Sequence, residues 1–138
     1  MHTFKDTKGE QWTVDITIGA VRRVKAATGE DLLQPEKGED ADGLPLLTRL
    51  ALDDLLLGEI VFELLRPEME SRGLTEDDLA ARCDGTTIAA IQEAFYADLI
   101  AFFEARGRVD RAAAVRKQVT LMITATKRAK AEVERIEI

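Results

Sequence analysis

Cysteine, histidine and serine each occur once in this chain, as Cys83, His2 and Ser71, and proline occurs three times. A lone cysteine closes no disulfide within the chain and assembles no cysteine-based zinc site, so Cys83 is expected as a half-buried structural thiol. A Ser–His–Asp or Cys–His arrangement would need His2, at the start of the chain, brought to Ser71 or Cys83, and no pattern encourages that. Gly9, Gly19, Gly29 and Gly38 stand alone as turn residues, with none of the spacing of a phosphate-cradling loop. Long apolar runs are missing too. The most apolar stretch, residues 44–65, is interrupted by Arg49, Asp53, Asp54, Glu59 and Glu63 and does not read as a membrane span. The opening residues lack the basic and apolar regions of a secretory signal, so cytoplasmic residence is the default expectation. Carboxylate pairs such as Asp53 with Asp54 and Glu68 with Glu70 are expected as solvated acidic faces. No catalytic constellation, metal set or cofactor motif emerges. The expectation is a binding protein without cofactor or metal, and not an enzyme.

What the chain does have is apolar and charged residues in helical proportions. Apolar side chains make up 46% and charged ones 33% of 138 residues, enough for one folded core. Ala and Leu dominate, which tilts the class toward helix. The net charge of −7 is unevenly placed. Residues 1–104 carry 10 basic and 22 acidic side chains, and residues 105–138 carry 9 basic and 4 acidic ones. The acidic body discourages nucleic-acid binding through the phosphate field. In the basic tail Arg111, Arg116, Lys117, Lys127, Arg128 and Lys130 are spread around a helix with no interleaved aromatic, so neither a nucleic-acid nor a membrane partner is expected.

Two periods divide the chain. Trp12, Val14, Ile16 and Ile18 alternate with Thr13, Asp15 and Thr17, as on a half-buried strand. Asp6-Thr7-Lys8-Gly9 supplies the turn of a hairpin before it. The period then changes to a helical one over about 19–27, with Val21 and Val24 inward and Thr28-Gly29 as the stop. Leu32 and Leu33 pin the chain back, and 34–43 reads as an exposed acidic loop. Asp40-Ala41-Asp42-Gly43 echoes a calcium loop. Aligning it puts Gly38 first and Arg49 last, where a carboxylate is needed, so no calcium site is expected.

Residues 44–65 read as a buried central helix with a short break near Leu52, where Asp53 or Asp54 caps the second part. Pro67 should end or kink it. Thr75 opens a further helix with carboxylates in its first turn. After a break at 84–87 a long helix carries Ile88, Ile91, Ala94, Phe95, Leu99, Phe102 and Phe103, with its aromatics read as core. The architecture expected is α+β, predominantly helical: an N-terminal hairpin on about five helices, residues 1–108 forming the body.

Residues 109–138 form the most regular element, either packed in the same domain or projecting from it. Ala112, Val115, Val119, Met122, Thr126, Ala129, Val133 and Ile136 alternate spacings of three and four, a heptad seam with one polar member. Small seam residues allow close helix approach. A helix from Val109 to Ile136 spans about 40 Å, more than the width expected of so small a domain. Its seam can pack on the chain's own helices, on a partner helix or on a second copy. The candidate partner-binding residues are Val115, Val119, Met122, Val133 and Ile136 on this helix. On the body they are Leu46, Leu50, Leu56, Ile60, Phe95, Leu99, Phe102 and Phe103, as the lining of an apolar groove.

The segment from Phe4 to Leu33 runs F-x-D-x-x-G-x-x-W-x-V-x-I-x-I-x-x-V-x-R-V and then T-G-x-D-L-L. With Leu64-Leu65-Arg66-Pro67-Glu68 and Gly73-Leu74-Thr75-Glu76-Asp77-Asp78-Leu79, it resembles the tail assembly chaperones encoded among the structural genes of tailed phages. The resemblance covers about the first two-thirds of the chain. It implies an assembly factor of the host cytoplasm that binds the tape-measure protein, recruits tail-tube subunits and carries no catalytic residues. The alternative from another class is a structural virion component, a connector or tail-completion subunit, with the C-terminal helix making subunit contacts in a homo-oligomer.

Overall fold

A single buried carboxylate organises the start of the chain. The computed structural model describes residues 1–37 and 43–136, so most of the acidic loop, including Asp40 and Asp42 of the calcium-like sequence, lies outside the described residues. Strands β1 (His2–Lys5) and β2 (Gln11–Val14) pair antiparallel, with Phe4 opposite Trp12 and His2 opposite Val14. Between them Asp6 turns inward and accepts hydrogen bonds from Lys8 N at 2.9 Å, Glu10 N at 3.0 Å and Trp12 Nε1 at 3.0 Å. Gly9 takes φ 77°, the left-handed conformation that closes the turn and suits glycine. The alternation stops earlier than the sequence suggests. Trp12, Val14 and Ile16 are buried, but Ile18 is exposed, because Thr17 caps a helix and Ile18 is its first residue.

That helix, α1 (Ile18–Thr28), presents Ala20, Val21 and Val24 to the core and ends on Gly29 at φ 79°. The Thr17 hydroxyl accepts from Ala20 N at 3.1 Å. Thr17→Ala should lower stability by about 1 kcal/mol, read by urea unfolding. An unchanged midpoint would show that this cap contributes nothing.

The apolar segment divides where Asp53 stands. Helix α2 (Leu46–Leu52) stops there, and the Asp53 carboxylate accepts from Leu55 N and Leu56 N to start α3 (Asp54–Ser71). Of the two outcomes expected at Pro67, an end or a kink, the end does not occur: α3 runs through it. Proline at 67 has no N–H to give to the carbonyl of Glu63, one turn earlier. Arg23 of α1 supplies the missing donor, its Nε lying 3.3 Å from Glu63 O. The helix continues to Ser71 because another helix satisfies the orphaned acceptor.

Short α4 (Glu76–Ala80) opens with a reciprocal capping box between Thr75 and Asp78. Helix α5 (Gly85–Ala105) is capped by Asp84, so it starts inside the stretch 84–87 that was expected as a break. Gly107 at φ 82° turns the chain into α6 (Val109–Ile136), which runs back along α5. There are thus six helices among the described residues, where about five were expected. The hairpin sits on α5 and α3, α1 packs on α3, and α6 packs on α5 and α2. Trp12, Leu32, Leu50, Ile60, Phe95 and Phe103 fill the space between. Cys83 is half-buried, as expected, and burial pushes its thiol pKa up. No helix among the described residues is long and apolar enough to cross a membrane.

A second buried carboxylate fastens the hairpin to the helices. Asp98 of α5 accepts from Ile16 N at 2.7 Å and lies 2.8 Å from both His2 Nδ1 and the amino group of Met1. It links α5 to β1 and to the connection between β2 and α1.

Candidate protein-docking surface

Helices α5 and α6 leave the Gly107 turn in close contact and then diverge. Near the turn Ala112 and Val115 are buried. One and two turns on, Val119 and Met122 are half-buried against the core. From residue 123 to 136 every position is exposed. The wedge that opens is bounded on its third side by the end of α2, and forms a groove of about 1090 Å³. It stays open because the side chains at that level are small: Ala89 and Ala97 on α5, Ala125 and Thr126 on α6, Ala51 on α2.

The groove is apolar with a sparse polar content. Tyr96, Ile100, Val119 and Met122 line its depth, and Leu52 and Leu121 stand on its walls. Leu52 is 77% exposed, Leu121 55% and Ile123, which also lines it, 52%. The charged groups of the lining are Glu93 and Lys127. Tyr96 is the notable member. Its ring is buried edge-on to Phe95 at 5.4 Å, and its hydroxyl has no hydrogen-bond partner among the described residues. Burial pushes the Tyr96 pKa up to about 12, so the phenol stays protonated and keeps a free donor. A buried hydroxyl without a partner costs about 1–3 kcal/mol.

The expected groove residues separate into three groups. Leu46, Leu50, Ile60, Phe95, Leu99, Phe103 and Val115 are buried in the core. They hold the molecule together and offer no surface to a partner, which corrects the assignment of the first six as groove lining and of Val115 as a partner-binding residue of the C-terminal helix. Leu56, Phe102, Val119 and Met122 are partly buried against that core, and of these Val119 and Met122 do line the groove. Val133 and Ile136 are exposed at 53% and 80% on the free end of α6. Sequence reasoning missed Leu52, Tyr96, Leu121 and Ile123. Leu121 and Ile123 carried a readable signal: they are large apolar residues off the heptad seam, on a helix whose seam alone should face inward.

The basic residues of α6 are partly spoken for. Arg111 pairs with Glu36 and donates to Leu33 O, and Arg116 pairs with Glu104 of α5. Among the described residues, no three His, Cys, Asp or Glu side chains are grouped to hold a metal ion. The lining has no histidine, cysteine or serine. What the surface can offer is apolar contact, the polar side chains of Thr48, Gln92, Gln118 and Thr126, and two charges of opposite sign. No protein-family model, curated protein or solved structure matches the chain.

Proposed function

We propose that this protein is a non-enzymatic assembly chaperone that holds an apolar helical segment of a client in the groove between α2, α5 and α6. The groove itself carries the reading: an open channel with Leu52, Leu121 and Ile123 exposed in water has the shape and character that takes an amphipathic helix by its apolar face. The resemblance of the opening segment to tail assembly chaperones supplies the client, a tape-measure protein with long helical apolar stripes. The acidic exterior of the body would keep such a complex dispersed.

Co-expression with the tape-measure protein tests this directly. The client is expected in the soluble fraction in complex with this chain. A client equally soluble alone removes the need for a chaperone. Leu52→Asp and Ile123→Asp should each weaken the complex at least tenfold, since each removes a side chain whose burial is worth about 1.5–3 kcal/mol. Both residues are exposed in the free protein, so its own unfolding midpoint should move little. Undiminished affinity in the double variant would place the client elsewhere.

The structural-component alternative draws on the bare end of α6, which would suit subunit contacts in a particle. Mass spectrometry of purified virions separates the two: a connector persists in the particle, and a chaperone is absent from it.

A further inference from the structure

The distal seam of α6 has a symmetry of its own. Its members Val119, Met122, Thr126, Ala129, Val133 and Ile136 are spaced three, four, three, four and three residues apart. That series reads the same in either direction about a point between Lys127 and Arg128. Side-chain size follows it: large, large, small, small, large, large. The first half of the same seam is already an interface, because Ala112 and Val115 are buried where α6 packs on α5. Past Met122 the seam continues with nothing among the described residues burying it. A helical overhang of that length is only marginally stable in water unless its apolar face is covered.

We infer that the cover is a second copy of this chain, with residues 119–136 of the two α6 helices packed antiparallel about a twofold axis. In that register Val119 meets Ile136 of the second copy, Met122 meets its Val133, and Thr126 meets its Ala129. The small residues come together at the axis, where the backbones must approach most closely. The large ones fill the wider space toward each body. An isologous contact needs a patch complementary to itself, and a palindromic seam is one. The flanking positions agree. Lys130 falls beside Ile123 of the second copy and Glu132 beside its Ala125, so no like charges oppose each other. Antiparallel pairing also keeps the two acidic bodies at opposite ends of the shared segment. Parallel pairing would bring them side by side, with α5 already occupying the start of each seam. Val119 and Met122 belong to both seam and groove, so the paired helix covers one end of the groove. The inference stands on the seam alone and needs no client.

The test needs only the purified chain. Sedimentation equilibrium across micromolar concentrations is expected to show a monomer–dimer equilibrium. Val133→Glu and Ile136→Glu should each raise its dissociation constant at least tenfold while leaving the unfolding midpoint of dilute monomer in place, because both side chains are exposed in the single chain. Orientation is read by crosslinking in a Cys83→Ala background. An equimolar mixture of Met122→Cys and Val133→Cys chains should oxidise to the mixed dimer. Disulfides of Met122→Cys with itself would indicate parallel pairing and overturn the register. A chain monomeric at 100 µM, or a dimer indifferent to both glutamates, would overturn the inference without touching client binding.

Discussion

Asp6→Ala is expected to destabilise the fold by about 3 kcal/mol, one of the two largest single-residue effects outside the apolar core. The Asp6 side chain is fully buried, and every atom it touches is a donor: the Lys8 and Glu10 amides, the Trp12 indole and, at 3.4 Å, Arg82 Nη1. Alanine removes the acceptor and leaves the indole N–H buried without a partner, a loss of about 1–3 kcal/mol. The turn amides and Arg82 lose charge-assisted bonds besides. Trp12 reports the event, because it is the only tryptophan and is completely buried. Urea titration followed by its fluorescence should show the midpoint fall with the slope unchanged. Asp6→Asn should land between, since an amide accepts on one oxygen but turns its NH2 toward other donors.

The same carboxylate has a pH signature. Burial alone raises its pKa, but the bonds from Trp12, Glu10, Lys8 and Arg82 together outweigh that and hold it below the usual carboxylate range. A lowered native pKa means that the contribution is complete above the unfolded pKa of about 3.9 and fades as pH falls through the native value. The unmutated chain should therefore lose stability below about pH 4 more steeply than Asp6→Ala does. Parallel acid limbs would mean that Asp6 is not the group being titrated.

How much of this was readable beforehand differs between elements for physical reasons. Boundaries set by local chemistry were legible. Asp53 and Thr75 cap helices through their own side chains, and Gly29 and Gly107 take the left-handed conformation that ends them, whereas the caps at Thr17 and Asp84 fell inside a segment read as strand and one read as a break. The start of α6 at Val109 and the inward-facing Ala112 and Val115 of its seam were legible because the period is strict. That α3 runs on through Pro67 was not legible, because what sustains it there is distant. The donor that completes its turn is Arg23, 40 residues before the Glu63 carbonyl it serves, and no local pattern announces it. Ile18 was misread because a capping threonine overrode a continuing alternation.

The candidate surface was less legible than the fold. An apolar residue announces that it avoids water and does not announce whose surface it will avoid water against. Phe95, Leu99 and Phe103 have the pattern of a groove and of a core alike, and only the hairpin and α3 packed on that face of α5 decide for the core. The opposite flank of α5 became a groove because of what is small there, Ala89 and Ala97. Absence of bulk matters only once a second helix lies opposite, and the divergence of α6 is a tertiary property.

Asp98→Ala, the other large effect, is expected to cost about 2–4 kcal/mol and to separate stability from binding. Asp98 is buried, and its removal strands the Ile16 amide at 2.7 Å and releases the partly exposed His2 ring and the exposed Met1 amino group to water. Burial raises its pKa and the bonds from the amino group, His2 and Ile16 bring it down further, so the net direction is down. Its contribution should be complete above about pH 3.9 and be lost as pH falls through its lower native value. What Asp98 fastens is the hairpin side of α5. Tyr96 and Ile100 are each two residues away, about 200° around the helix, and face the groove. Losing the anchor should therefore lower the unfolding midpoint while the folded fraction binds a helical client within about threefold of the parent, a shift under 1 kcal/mol. Leu52→Asp should do the reverse, sparing the midpoint and weakening the complex. If Asp98→Ala instead abolished binding in protein that is still folded by Trp12 fluorescence, the client would have to sit on the hairpin face, and the wedge between α5 and α6 would be the wrong surface.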